Sequence, residues 1–111
     1  MENRDLASAK CVPCHGGVPA LGEAAVRELA LQTPGWDVGV VPSRLSRTFG
    51  FKDFVEAMAF VNRVAAVAEE QGHHPDIEIH WNQVKLVLWT HSIGGLHEND
   101  FVVAARISRL L

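Results

Sequence analysis

Hydrophobic and polar residues follow a helical period in three stretches of the chain. In the clearest stretch, residues 51–70, apolar side chains recur at intervals of three and four: Phe51, Phe54, Val55, Met58, Val61, Val64, Ala65 and Ala68. This spacing predicts an amphipathic helix that buries these side chains. Gly72 follows as the residue that ends it. Shorter helices are predicted over residues 23–31 and 97–110.

Strict alternation predicts four strands, over residues 36–41, 44–49, 76–81 and 83–90. In the third strand Ile77, Ile79 and Trp81 share one face, which favours core packing for Trp81. The last two strands are separated by so few residues that they are predicted to form an antiparallel hairpin.

The order of these elements is helix, two strands, helix, two strands, helix. It predicts an α+β fold, in which three helices pack on one face of a four-stranded antiparallel sheet. The first twenty residues lack a clear period and contain Pro13, Gly16, Gly17 and Pro19. We therefore expect residues 1–20 to form an N-terminal arm and residues 21–111 a single domain.

Composition and charge narrow the possible functions. The chain has 111 residues, of which 48% are hydrophobic and 21% charged, with a formal net charge of -3. The absence of a basic stripe argues against nucleic-acid binding. The sequence has neither an apolar run of about 18 residues nor a signal-peptide pattern, so we expect a cytoplasmic protein that does not cross a membrane.

The residues most suited to chemistry are three histidines. His73 and His74 precede Pro75 at the start of the third strand, and His91 follows the fourth. In a hairpin the start of the first strand lies beside the end of the second, so the three imidazoles should lie close together. Imidazole exchanges protons near neutral pH, which points to acid–base catalysis. The alternative is that they are exposed loop histidines.

One set of residues matches a known family in order and spacing: Glu69, His73-His74-Pro75, Trp81, His91 and Asp100. In this set the chain resembles the pterin-4a-carbinolamine dehydratases. The resemblance implies catalytic roles for His73, His74 and His91, with Asp100 and Pro75 supporting the site. Glu69 is expected to be solvated and outside it. At Ile77 some relatives carry an aromatic residue, which leaves pterin stacking open.

The resemblance also implies the reaction and its setting. The substrate would be 4a-hydroxytetrahydrobiopterin or a related 4a-hydroxytetrahydropterin, the product of aromatic amino-acid hydroxylases. Loss of water would give a quinonoid dihydropterin, with no metal or organic cofactor. The expected assembly is a homodimer or a homotetramer built from dimers. A non-catalytic pterin-binding or protein-interaction module of the same fold is the alternative.

Two other patterns suggest different chemistry. Cys11, Cys14 and His15 match a haem-attachment motif and could contribute to a zinc site. A flexible arm with two thiols is the interpretation that we favour, because the chain has no export signal and no second cysteine pair. A zinc hydrolase that uses His73, His74 and His91 is less favoured, because adjacent histidines seldom bind one ion.

Overall fold

A computed structural model describes residues 5–12, 18–40 and 43–111. Its helices and strands are α1 (Glu23–Ala30), β1 (Asp37–Val40), β2 (Ser43–Gly50), α2 (Phe54–Gln71), β3 (Asp76–His80), β4 (Gln83–Leu88) and α3 (Glu98–Ser108). This confirms the predicted α+β fold and the order of its elements. No helix among the described residues is long and apolar enough to cross a membrane.

The four strands form one antiparallel sheet in the order β1-β2-β4-β3. Alternation along the strands separates a face covered by the helices from a polar face. The covered face carries rows of paired residues: Phe49, Val84 and Ile79 form one row, and Leu86 and Ile77 belong to the next. Val84 and Leu86 are fully buried beneath the helices, whereas β3 lies at the edge of the sheet.

Helix α2 begins and ends where the sequence provides the appropriate caps. The carboxylate of Asp53 accepts a hydrogen bond from the backbone N–H of Glu56 at 2.9 Å. Gly72 ends the helix in the left-handed conformation, with φ of 64°, which glycine adopts without steric cost. The predicted buried face is partly wrong, because Phe54 and Val55 are exposed by 49% and 75%.

The residues that α2 does bury are Ala57, Phe60, Val61, Val64 and Ala68. Alanine and valine occur on several sides of this helix, so apolar spacing alone is compatible with more than one buried stripe. The position of the sheet and of α3 decides which stripe is covered.

The predicted core position of Trp81 is also wrong. His80 pairs with Gln83, so Trp81 and Asn82 form the two-residue turn of the β3–β4 hairpin. Trp81 has a positive φ of 51° and is 67% exposed. Alternation that continues from Ile77 and Ile79 does not reach Trp81, because the strand has already ended.

Part of the N-terminal segment is packed rather than loose. Leu6 lies in a 3-10 turn, Leu6–Ser8, and its side chain is buried in the core. The guanidinium of Arg106 on α3 donates two hydrogen bonds to the carbonyl of Ala9, at 3.0 and 2.5 Å. The expected flexible arm is therefore wrong for residues 5–12. Cys14 and His15 lie outside the described residues, and the domain boundary at residue 20 stays a prediction.

Candidate active site

The hairpin brings the three histidines to one pocket. His73, His74 and Pro75 approach from the end of α2, and His91 comes from the 3-10 turn, His91–Ile93, that follows β4. The pocket has a volume of about 620 Å³, which suits a small-molecule ligand. Its other lining residues are Cys11, Val12, Gln71, Gly72, Asp76, Trp89, Thr90, Ser92 and Asn99. The predicted proximity of the histidines is therefore a property of the structure.

His73 is held from behind by a buried carboxylate. Its Nε2 donates a hydrogen bond to Oδ1 of Asp100 at 2.6 Å, and Asp100 is fully buried. The second oxygen, Oδ2, accepts hydrogen bonds from the Thr90 hydroxyl at 2.8 Å and from the backbone N–H of His97 at 3.0 Å. Both oxygens of Asp100 are thus occupied, and the carboxylate fixes the orientation and tautomer of His73.

Helix α3 places Asp100 through the way in which it begins. His97 is the N-cap, and its Nδ1 accepts a hydrogen bond from the backbone N–H of Asn99 at 3.0 Å. Burial lowers the pKa of His97, and the nearby His73 adds to this effect, whereas Asp100 opposes it. The cap requires an unprotonated Nδ1, because a protonated nitrogen cannot accept.

His74 has a carboxylate partner that the sequence analysis did not expect. Its Nε2 donates a hydrogen bond to Oε2 of Glu69, one turn before the end of α2. Both side chains are largely exposed, at 59% for His74 and 77% for Glu69. The expectation that Glu69 is solvated is confirmed, and Glu69 is not among the residues that line the pocket; its contact with His74 was not predicted. The spacing of five residues across the helix end was the signal.

His91 lies on the opposite side of the hairpin end, between an acidic and an aromatic side chain. Its Nε2 is 3.9 Å from Oδ2 of Asp76, at the start of β3. Its ring lies against the Trp89 indole, with centroids 4.3 Å apart. The guanidinium of Arg44 lies 5.0 Å from the centroid of the same indole. Asp76 and Trp89 were not among the predicted site residues.

The other residues considered in the sequence analysis differ in whether they line the pocket. Pro75 lines the pocket, whereas Asp100 supports it from within the core. Ile77 faces the helix layer and is not among the residues that line the pocket. The aromatic ring in the pocket is the indole of Trp89. Asn99 and Gln71 also line the pocket, and neither was singled out from the sequence.

The arrangement provides three imidazoles, each beside a carboxylate, around one cavity. A carboxylate at one ring nitrogen orients the imidazole, and an oriented imidazole suits proton transfer. The environments differ, because His73 is 12% exposed while His74 and His91 are accessible to water. Among the described residues, no three His, Cys, Asp or Glu side chains converge as ligands for one metal ion.

Comparison with known proteins finds relatives over most of the chain. The model of the family described as pterin 4 alpha carbinolamine dehydratase matches residues 19–110. A relative from Rubrobacter xylanophilus is 51% identical over 106 residues, which cover 96% of this chain and 98% of the relative. A relative from Methylococcus capsulatus is 40% identical over 110 residues, which cover 99% of this chain and 96% of the relative. Both have names of pterin-4-alpha-carbinolamine dehydratases.

Two solved structures share the fold. The first is a transcriptional coactivator/pterin dehydratase from Brucella melitensis, with a TM-score of 0.77 and 32% identity, covering 82% of this chain and 97% of that one. The second is a pterin dehydratase-like protein described as a RuBisCO assembly factor of the alpha-carboxysome. The match to this second structure has a TM-score of 0.60 and 28% identity. It covers 68% of this chain and 88% of that chain.

Proposed function

The chain belongs to the pterin-4-alpha-carbinolamine dehydratase family, and from this we propose that it dehydrates a 4a-hydroxytetrahydropterin. The reaction yields a quinonoid dihydropterin and water. The biopterin form of the substrate is the specific proposal, and the general one is a pterin with the same 4a-hydroxyl group.

One observation supports this function above the others. His73, His74 and His91 line a single cavity, and each has a carboxylate beside its Nε2, from Asp100, Glu69 and Asp76 respectively. An elimination of water requires one proton to be delivered and another to be removed. A site with several oriented imidazoles meets that requirement near neutral pH.

The proposed mechanism moves two protons. An imidazolium donates a proton to the 4a-hydroxyl oxygen, which leaves as water when its bond to carbon breaks. A neutral imidazole accepts the proton of the neighbouring ring nitrogen, whose electron pair forms the new double bond. We assign these two roles to His73 and His74 as a pair, each contributing about 10²–10⁴ in rate, with His91 assisting.

The different exposures suggest how the site returns to its starting state. One proton is donated and one is accepted in each cycle, so the catalytic pair exchanges a proton without a net change. His74 is 59% exposed, so water can carry the proton between the two members of the pair. His73 is shielded and bound to Asp100, which makes its orientation the more constant of the three.

The chemistry places this reaction after another enzyme. A 4a-hydroxytetrahydropterin arises when a tetrahydropterin supplies electrons for hydroxylation of an aromatic amino acid. We therefore propose a functional link to an aromatic amino-acid hydroxylase, followed by a reductase that restores the tetrahydropterin. The cytoplasmic location stays a prediction.

The edge strand β3 supports a homodimer. An edge strand offers backbone donors and acceptors for pairing with another chain. Ile77, Ile79 and Trp81 are exposed by 37%, 38% and 67%, on and just after this strand. Two copies that pair along β3 would cover the isoleucines and join the two sheets. A tetramer built from two such dimers stays a prediction.

A second candidate is a protein-interaction function with or without catalysis. The Brucella melitensis structure has the description of a transcriptional coactivator, and the carboxysomal protein that of an assembly factor. In this chain Phe54 and Val55 are exposed at the start of α2. Exposed apolar side chains near an apolar strand edge suit a binding surface.

The experiment that tests the catalytic proposal measures dehydration of a 4a-hydroxytetrahydropterin, generated in place by a phenylalanine hydroxylase. Wild type, His74→Ala and His80→Ala are compared after treatment with a chelator. His80 is the matched control, because it lies on the same hairpin, is 71% exposed and is not among the pocket-lining residues.

We expect wild type and His80→Ala to accelerate the reaction equally, and His74→Ala to lose about 10²-fold or more. A folded wild-type protein that does not accelerate dehydration would contradict the catalytic proposal. The interaction function would then be the one to pursue.

A further inference from the structure

The N-terminal segment reaches the histidine pocket although it precedes the family match. That match covers residues 19–110, whereas the described N-terminal residues 5–12 lie before it. Nevertheless Cys11 and Val12 are among the residues that line the pocket with His73, His74 and His91. The pocket is therefore built partly from residues outside the family match.

The position of these two residues is set by side chains from the domain. Asn99 Oδ1 accepts a hydrogen bond from the Val12 N–H at 2.9 Å, and Asn99 Nδ2 donates one to the Val12 carbonyl at 2.7 Å. Gln71 Oε1 accepts a hydrogen bond from the Cys11 N–H at 2.9 Å. Both polar groups on the backbone of Val12 are thus bound by a single amide.

Asn99 is suited to hold the segment in one place. It is only 3% exposed, so loss of either hydrogen bond would leave a buried polar atom without its partner. It also precedes Asp100 in the first turn of α3, so the same turn fixes both His73 and Val12. The anchors of the histidines, Asp100 and Glu69, are different side chains.

We propose that Cys11 and Val12 form a wall of the pocket that contacts the bound pterin, with Asn99 as the positioning residue that holds this wall. The inference rests on the proposed function and adds to it a determinant of substrate binding outside the family match. Because the histidines have their own anchors, disturbance of the wall changes substrate binding more than the proton transfers.

The first test is protection of the Cys11 thiol. In a Cys14→Ser variant, Cys11 is the single thiol of the chain, because the sequence contains two cysteines. Its alkylation by iodoacetamide is measured with and without 7,8-dihydrobiopterin, whose binding is followed separately by protein fluorescence. With pterin at ten times its Kd we expect the rate to fall about tenfold, because only the free protein reacts.

The ligand could also act on the reagent itself, so alkylation of a free small thiol with the same pterin serves as the control. An unchanged rate at Cys11 while fluorescence shows saturation would overturn the proposal. If neither pterin binding nor dehydration is found, the proposed function is contradicted, and so is the proposal that Cys11 and Val12 contact the pterin.

The second test separates binding from catalysis in the full chain. Val12 is 57% exposed, so Val12→Trp adds bulk at the wall without filling the core. The control is Leu31→Trp, an exposed position at the end of α1 and outside the pocket. We expect Val12→Trp to raise KM by about five- to tenfold while kcat stays within about twofold.

Asn99→Leu removes both hydrogen bonds to Val12 and is expected to act in the same direction, with a higher KM for the pterin. Comparison of 6-methyl and biopterin substrates shows whether the wall contacts the substituent, in which case the two KM values change unequally. A Val12→Trp protein with the KM of wild type would overturn the wall even if Asn99→Leu fails to fold. In that case the dehydratase proposal stands unaffected.

Discussion

His73 and Asp100 form a shielded polar contact of the pocket, with Nε2 of the imidazole 2.6 Å from Oδ1 of a carboxylate that has no exposed surface. The other carboxylate oxygen accepts hydrogen bonds from Thr90 and from the backbone of His97. The three donors come from different parts of the chain. His73 follows the end of α2, Thr90 follows β4, and His97 lies at the start of α3. Asp100 therefore couples the orientation of His73 to the packing of the domain.

Asp100→Asn tests whether this coupling matters for catalysis. Two donors face Oδ2, so the amide oxygen of the asparagine is drawn there, and its NH₂ group faces His73. Nε2 must then accept, which moves the ring proton to Nδ1 and presents the opposite tautomer to the pocket. We expect kcat for dehydration to fall about 10²–10⁴-fold, with the fold retained. Wild-type kcat in a folded Asp100→Asn protein would contradict the role given to His73.

Glu69→Gln is expected to have a smaller effect than Asp100→Asn. The contact between His74 and Glu69 is exposed to water, and exposed charge pairs contribute up to about 1 kcal/mol, or about fivefold in rate. Glu70→Gln is the matched control, because it makes the same change at the adjacent residue, which lies near Arg106 rather than a histidine. Equal rates for the two variants would remove Glu69 from the site.

The sequence predicted the hairpin and its consequence well. Period-two alternation in β3 and β4 and the short connection between them specify an antiparallel pair. That pair alone places His73 and His74 near His91. The prediction needed no knowledge of the remaining fold, because register within a hairpin is local.

Residues whose environment depends on distant parts of the chain were predicted less well. Phe54 and Trp81 are apolar and were expected to be buried, but Phe54 lies on an exposed side of α2 and Trp81 lies in the β3–β4 turn. The packing of Leu6 and the hydrogen bonds from Asn99 to Val12 join residues more than 80 positions apart with no periodic pattern. The contact of Glu69 with His74 was not predicted, because His74 lies beyond the end of the helix that carries Glu69.

Leu6→Ala tests whether the N-terminal segment belongs to the folded core. The Leu6 side chain is 2% exposed, so its truncation leaves a cavity and is expected to cost about 2–5 kcal/mol in the free energy of unfolding. Urea denaturation at one fixed protein concentration measures the loss. Val12→Ala, at a 57% exposed position, should change stability by less than about 0.5 kcal/mol. Similar stabilities for both variants would show that the segment is not part of the core.

His97 should make the stability of the fold depend on pH. Its folded pKa lies below the ordinary value of 6.5, so the unfolded chain binds more protons just below that pH. The contribution of His97 to the free energy of unfolding is therefore fully present above pH 6.5. It decreases as the pH falls through this value towards the folded pKa. Protonation also removes the cap that His97 Nδ1 provides to the N–H of Asn99.

His97→Asn retains a side chain that favours the N-cap position and removes the titration. Between pH 7.5 and 5.5 we expect wild type to lose more stability than His97→Asn in urea denaturation. The difference should be below about 1 kcal/mol, the typical strength of an N-cap interaction. Asp100 and His73 are present in both proteins, so the comparison isolates the substitution at residue 97. Identical pH profiles would contradict the prediction.

The proposed dimer predicts that charge at the edge of the sheet prevents assembly. Ile79 lies on the helix side of β3, in the row of Val84 and Phe49, and is 38% exposed. Ile79→Lys would place an ammonium group in the apolar contact between two copies, where a charge without a partner is costly. His80→Lys is the control, because it adds a cation on the opposite face of the same strand.

Sedimentation equilibrium of wild type, Ile79→Lys and His80→Lys at several protein concentrations measures the assembly. We expect wild type and His80→Lys to dimerise alike, and Ile79→Lys to dissociate at least about tenfold more readily, as a loss of about 1.4 kcal/mol would produce. Pairing along β3 would bring the second copy beside Asp76, at the start of the strand and in contact distance of His91. If Ile79→Lys assembles as wild type does, the isoleucine face of β3 is not the interface, and the exposed start of α2 becomes the surface to change next.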